Sequence, residues 1–190
     1  MKTIYFITHP NVIVDPNQPP QEWHLSETGE ERVKTLGQEH FWRYVQHIFT
    51  SPENRALETS QILHDIHHIA VRPFEELQEQ RRSNTNYFLS MTDLAITMRM
   101  FFSRPKESIR GWESAVDTQN RIVAAIDSLQ ELYPDYQTVA IISHGIIGSL
   151  LRSYLMHHPI EESLCQDKIG SYIQVDWEHK CVVSDDWINY

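Results

Sequence analysis

Long apolar runs, paired cysteines and nucleotide-binding glycine patterns are all missing from this sequence. No stretch approaches the roughly 20 consecutive apolar residues of a membrane span, and the apolar run in the opening MKTIYFITHP is too short for a secretory h-region. Cys165 and Cys181 are the only cysteines and show no CxxC spacing, so both are expected to be plain thiols in a reducing compartment. The expected location is therefore cytoplasmic, with no membrane partner. There is no Walker or GxGxxG motif, and Ile141 stands where a Gly-x-Ser-x-Gly elbow around Ser143 needs its first glycine. Those gaps exclude P-loop, dinucleotide-binding and α/β-hydrolase readings. Repeats and low-complexity tracts are lacking too, which leaves one domain over residues 1–190.

Basic charge is also scarce. Sixteen Lys and Arg face 26 Asp and Glu, a formal net charge of −10, and a field of that sign repels polyanions. Nucleic acid is accordingly excluded as the expected partner; a small molecule is the alternative.

What is present is an alternation of short β-branched or aromatic runs with longer helical patterns, the mark of a mostly parallel sheet flanked by helices. The runs Thr3–Ile7, His47–Thr50, Ala70–Pro73, Thr138–Ile142, Tyr172–Asp176 and Cys181–Ser184 read as strands. Thr28–Gln46, Pro52–His68, Thr92–Ser103, Trp112–Tyr133 and Ile146–His157 read as helices, with Ser26 and Ser51 placed to cap two of them. The expected fold is a three-layer α/β/α sandwich.

Three strands end alike, in Thr8-His9-Pro10, Thr50-Ser51-Pro52 and Ser143-His144-Gly145. Open α/β sheets bind ligands beyond the carboxyl ends of their strands, where helix N-termini favour anions. His9 and His144 are thus expected to share a site. Arg55 falls in the first turn of a helix at the third strand end, where the helix dipole disfavours a cation unless an anion compensates it. A substrate phosphate would do so.

These residues resemble the histidine phosphatase (phosphoglycerate mutase-like) superfamily. Beyond His9, the likeness rests on His24-Leu25-Ser26-Glu27-Thr28-Gly29, on Ser51-Pro52-Glu53-Asn54-Arg55-Ala56-Leu57-Glu58-Thr59, on Leu77-Gln78-Glu79, on Gly111-Trp112-Glu113-Ser114 and on Ser143-His144-Gly145, all in the family's order. The resemblance implies a phosphatase acting on phosphate monoesters with no metal or other cofactor. It implies His9 as nucleophile, Glu79 as acid, and Arg55, His144 and Gly145 around the phosphoryl group. Glu75 and Glu76 remain rivals for the acid role.

The departure is the first motif, where Thr8 replaces the family's arginine and Pro10 its glycine. A neutral hydroxyl does not reproduce a bidentate guanidinium, and that leaves two readings open: a working phosphatase, or a weakened or inactive member that binds phosphate ligands or a partner. The segment 80–111 is expected to form a cap over the site. It holds six Arg and Lys against two acidic residues, and Arg81 and Arg82, nearest to Glu79, are the first candidates to replace the missing cation.

Other signals carry less. His64, His67 and His68 have helical spacing but no carboxylate or cysteine motif joins them, so no metal site is expected there. Met91, Met98, Met100, Phe101 and Phe102 fit either core or an apolar substrate wall. A mutase is disfavoured by the short chain and by the lack of a mutase-type Asn-Glu-Arg around the acid.

Overall fold

Side chains alternate between the two faces of each strand, and that period of two builds both halves of the core. The computed structural model describes residues 2–82 and 91–190. Its strands are β1 (Thr3–Thr8), β2 (His47–Thr50), β3 (Val71–Pro73), β4 (Thr138–Ser143), β5 (Ser171–Asp176), β6 (Cys181–Val182) and β7 (Ile188–Asn189). Ile4, Phe6, Phe49, Val139 and Ile141 point to one face; Ile7, Ile48, Ala140 and Ile142 point to the other.

Two pairs of helices cover those faces. On the second face, α1 (Glu27–Leu36) and α2 (Asn54–His67) supply Val33, Leu36, Ala56 and Leu63. On the first, α4 (Ala115–Leu132) and α5 (Gly145–Leu155) supply Ile122, Ile126, Leu129, Ile147 and Leu151. This is the three-layer sandwich that the alternating pattern predicts. A fifth helix, α3 (Met91–Ser103), lies within the segment 80–111 and buries Phe101 and Phe102 against Trp112, Ala115 and Leu150. Residues 83–90 of that segment, and the side chain of Met91, lie outside the described residues.

The sheet order is β3-β2-β4-β1-β5-β6, with β7 also pairing with β5. The first four strands in that order run parallel; β5 is antiparallel to β1 and is followed antiparallel by β6 and β7. Register places the site. Thr8 pairs with Ser143 and Thr50 with Ile142, so the next residues, His9, Ser51 and His144, leave the sheet side by side at one edge.

Several boundaries differ from the sequence pattern. The helix expected over Thr28–Gln46 stops at Leu36, because the Trp42 indole donates to the Leu36 carbonyl (2.8 Å) and the turn His40–Tyr44 buries Phe41 and Trp42. Gly37 is the C-cap, and a Cβ there would stand 2.8 Å from the tip of the Ile66 side chain, which would have to shift. Ser26 caps α1 as expected, accepting from the Gly29 amide. Ser51 does not cap α2, whose N-cap is Glu53, since its hydroxyl is committed to the site. α4 begins at Ala115 behind an N-cap at Ser114, because Trp112 is buried beneath α3. β7, only two residues long, has no counterpart in the pattern. None of the described helices is long and apolar enough to cross a membrane.

Candidate active site

His9 follows β1 at the floor of a cavity of about 280 Å³. Its Nδ1 lies 2.9 Å from the Pro10 carbonyl, a pure acceptor, so Nδ1 carries the ring proton and Nε2 keeps its lone pair. The Arg55 Nε–H donates to that Nε2 across 2.9 Å. Burial, then the nearby Arg55 charge and His144, hold the imidazole well below its ordinary pKa. His9 is therefore neutral, half-buried and oriented at both nitrogens.

Arg55 finds its compensating anion inside the protein. Glu53, two residues earlier at the N-cap of α2, is 6% exposed and puts Oε2 2.6 Å from Arg55 Nη2. Arg55 Nη1 donates to the Pro20 carbonyl. The other Glu53 oxygen accepts the Glu79 backbone N–H (2.8 Å) and lies 3.5 Å from His144 Nε2. One buried carboxylate thus ties Arg55, the Glu79 backbone and His144 together. Sequence reasoning gave Glu53 no role; its only signal was an acid beside an arginine that needed one.

Glu79 enters the cavity beside His9. Burial and the Glu53 charge push its carboxyl above the ordinary range, against the opposing pull of Arg55, Arg82 and the Ile147 amide. The carboxylate accepts from the Ile147 amide (3.2 Å) at the start of α5. Arg121 on α4 fixes the segment before it: Nη1 donates to the carbonyls of Glu76 and Gln78, and Nη2 to that of Glu79. Arg121 is itself paired with Glu113 at 2.8 Å in a mostly buried ion pair. The rival acids face elsewhere, since Glu76 pairs with Arg81 across exposed surface and the Glu75 carboxylate accepts from Gln78.

His144 is fully buried, edge-on to His9 with ring centroids 5.2 Å apart. Nε2 meets the Ser51 hydroxyl at 2.8 Å, and among the described residues Nδ1 has no partner. Burial foremost, then Arg55, Arg121 and Arg82, hold this ring well below the usual histidine pKa, hence neutral.

The remaining expected residues divide. Thr8 is wholly buried, with its hydroxyl 2.7 Å from Gln166 Oε1. Gly145 lines the cavity under the Gln166 amide. Arg81 turns its guanidinium outward to Glu76. Arg82 stacks its guanidinium 4.2 Å from the Trp112 ring centre and helps line a neighbouring groove with Lys106 and Trp112. With the Gln80 amide oriented to donate to Glu79 (3.0 Å), its oxygen accepts from Arg82 at 2.6 and 3.1 Å. Of the methionines and aromatics, Met98 faces the cavity while Phe101 and Phe102 are core.

Among the described residues, no group of three or more His, Cys, Asp and Glu is arranged to hold a metal ion. His64 and His67 contact the carbonyls of Ile69 and Gly37, and His68 ends α2 at φ 57°.

No curated protein sequence matches the chain. Solved structures do. Phosphoserine phosphatase from Entamoeba histolytica, in complex with 3-phosphoglyceric acid, superposes with TM-score 0.78 at 16% identity, covering 100% of this chain and 98% of that one. A mycobacterial glucosyl-3-phosphoglycerate phosphatase bound to vanadate gives 0.74 at 19%, covering 100% of each chain. Bacillus stearothermophilus YhfR gives 0.75 at 20%, covering 99% and 97%. These likenesses establish the fold. Residues 4–189 match the sequence profile of the histidine phosphatase superfamily (branch 1), and the chain, in which His9 and Glu79 line one cavity with Arg55 and His144 packed against His9, belongs to that superfamily.

Proposed function

We propose that this protein hydrolyses small phosphate monoesters without a metal, passing the phosphoryl group through Nε2 of His9. The observation that carries the reading is the double constraint on His9, with Nδ1–H on the Pro10 carbonyl and the Nε2 lone pair beside Arg55 and the cavity. The Nε2 lone pair, freed as the Arg55 Nε–H turns from the ring to a phosphoryl oxygen, attacks phosphorus, the bond to the alcohol oxygen breaks, and Glu79 gives that oxygen its proton. Water then attacks phosphorus, Glu79 takes the water's proton, the P–N bond breaks, and inorganic phosphate leaves. Arg55 and His144, whose Nδ1 lacks a protein partner, steady the charge on the equatorial oxygens. The segment 80–111 acts as a cap, with Met98 against the alcohol portion.

Thr8 supports a second reading, in which turnover is weak or lost and the site serves to bind a phosphate ligand. Hydrolysis of p-nitrophenyl phosphate in EDTA separates the two. The phosphatase reading expects turnover that vanishes in His9→Ala, with acid-labile phosphate trapped on the wild-type protein. The binding reading expects no product and a phosphate-dependent rise in Tm.

A further inference from the structure

Gln166 belongs to no motif, yet it reaches the centre of the site from the loop between α5 and β5. Thr8 has one hydroxyl proton and two acceptors near it: Gln166 Oε1 at 2.7 Å and the Ser171 carbonyl at 3.1 Å. The same hydroxyl accepts the Ser171 amide at 3.0 Å, which fixes its position. The shorter contact turns the Gln166 carbonyl toward Thr8 and its NH₂ toward Gly145. A Cβ on Gly145 would stand 2.5 Å from that nitrogen, so the glycine is what makes room for it. Gln166 lines the cavity with His9 and Glu79, and among the described residues its hydrogen bond is the one Oε1 accepts from Thr8, with Nε2 donating none.

We propose that Gln166 Nε2 donates to a phosphoryl oxygen in place of the guanidinium that position 8 lacks, with Thr8 as the residue that orients the amide. The assignment rests on the proposed reading of the cavity beside His9 as the seat of a phosphoryl group. Donors are in short supply at this end of the cavity. The Ile147 amide at the start of α5 is already taken by Glu79, and Arg81 faces away. A neutral amide N–H is weaker than a charge-assisted one, yet a donor held in place before the reaction needs no reorganisation as charge develops. Thr8 and Gln166 together thus supply one donor by a relay, where an arginine would supply two directly.

Orthovanadate binding by calorimetry and p-nitrophenyl phosphate hydrolysis test this in wild type, Gln166→Met, Thr8→Val, the double variant and Gly145→Ala. Each single change is expected to weaken vanadate binding and lower kcat/KM by about tenfold to hundredfold. The double variant is expected to be no worse than Gln166→Met, because both act through one donor. Gly145→Ala, which displaces the amide without altering it, is expected to copy Gln166→Met. Vanadate binding unchanged in Gln166→Met, or absent in wild type, overturns the proposal. Binding that depends on Gln166 without any turnover leaves it standing and removes the phosphatase reading. His9-dependent turnover that ignores Gln166 removes the proposal alone.

Discussion

The Arg55 guanidinium meets the His9 ring nitrogen across 2.9 Å through its Nε–H, so the nitrogen proposed to attack phosphorus faces a cation within the protein itself. The contact orients the lone pair and resists its protonation. Burial is the larger cause of the low His9 pKa, and Arg55 the next.

Arg55→Gln is therefore expected to raise the His9 pKa, because it removes the charge and leaves the burial. Titration of the His9 ring by NMR reads this directly. The same variant is expected to lose about a hundredfold to a thousandfold in kcat/KM, the scale of losing a preorganised donor. An unchanged His9 titration would show that the guanidinium does not act on the nucleophile.

The proposed mechanism needs His9 and Glu79 in opposite protonation states. Neutral His9 appears as pH rises through its depressed pKa, and protonated Glu79 disappears as pH rises through its elevated one. A bell-shaped kcat/KM follows, with His9 setting a rising limb below the ordinary histidine range and Glu79 a falling limb above the ordinary carboxyl range. Glu79→Gln is expected to abolish the falling limb. Its rate loss is expected to be much larger for an alkyl phosphate than for p-nitrophenyl phosphate, whose leaving group needs little protonation. Equal losses on both substrates would remove Glu79 from the acid role.

How far the sequence reveals this site depends on whether a residue acts through its strand or through space. His9 and His144 are legible because both follow apolar strands whose parallel register brings their ends together. Arg55 is legible as a misplaced cation, although the anion it needs is Glu53 and not the substrate alone. Arg121 and Gln166 are invisible beforehand. Arg121 acts on carbonyls 42 to 45 residues away, and Gln166 on a hydroxyl 158 residues away, distances over which no local periodicity operates. The end of α1 is legible only in part: Gly37 at its C-cap is a local stop signal, whereas the buried indole six residues on that takes the Leu36 carbonyl is not.

Arg121 is a positioning residue, tying the Glu76–Glu79 carbonyls to Glu113. Arg121→Leu leaves a mostly buried carboxylate unpaired and is expected to cost about 3–5 kcal/mol of stability. For a chain of this size that lowers Tm by roughly 6–20 °C. Loss of stability alone does not establish a positioning role. Arg121→Lys retains the charge but not the fork that reaches three carbonyls, and below its own Tm it is expected to lose more rate on alkyl than on aryl phosphates, as Glu79→Gln does. A loss independent of the leaving group would make Arg121 purely structural.

His144 links the site to acid stability. The folded ring resists protonation, burial being the main cause, while in the unfolded chain it titrates near its ordinary value of 6.5. Below that pH the unfolded state binds the additional proton, so stability falls as pH drops, by up to about 1.4 kcal/mol per pH unit for this one group until the folded pKa is reached. His9 adds a second contribution of the same sign. Urea unfolding from pH 7 to pH 5 is expected to show this decline in wild type and a shallower one in His144→Asn, which removes the titrating ring. An identical slope in the variant would mean that the folded histidine accepts its proton as readily as the unfolded one, and the neutral second histidine invoked beside the phosphoryl group would have to be abandoned.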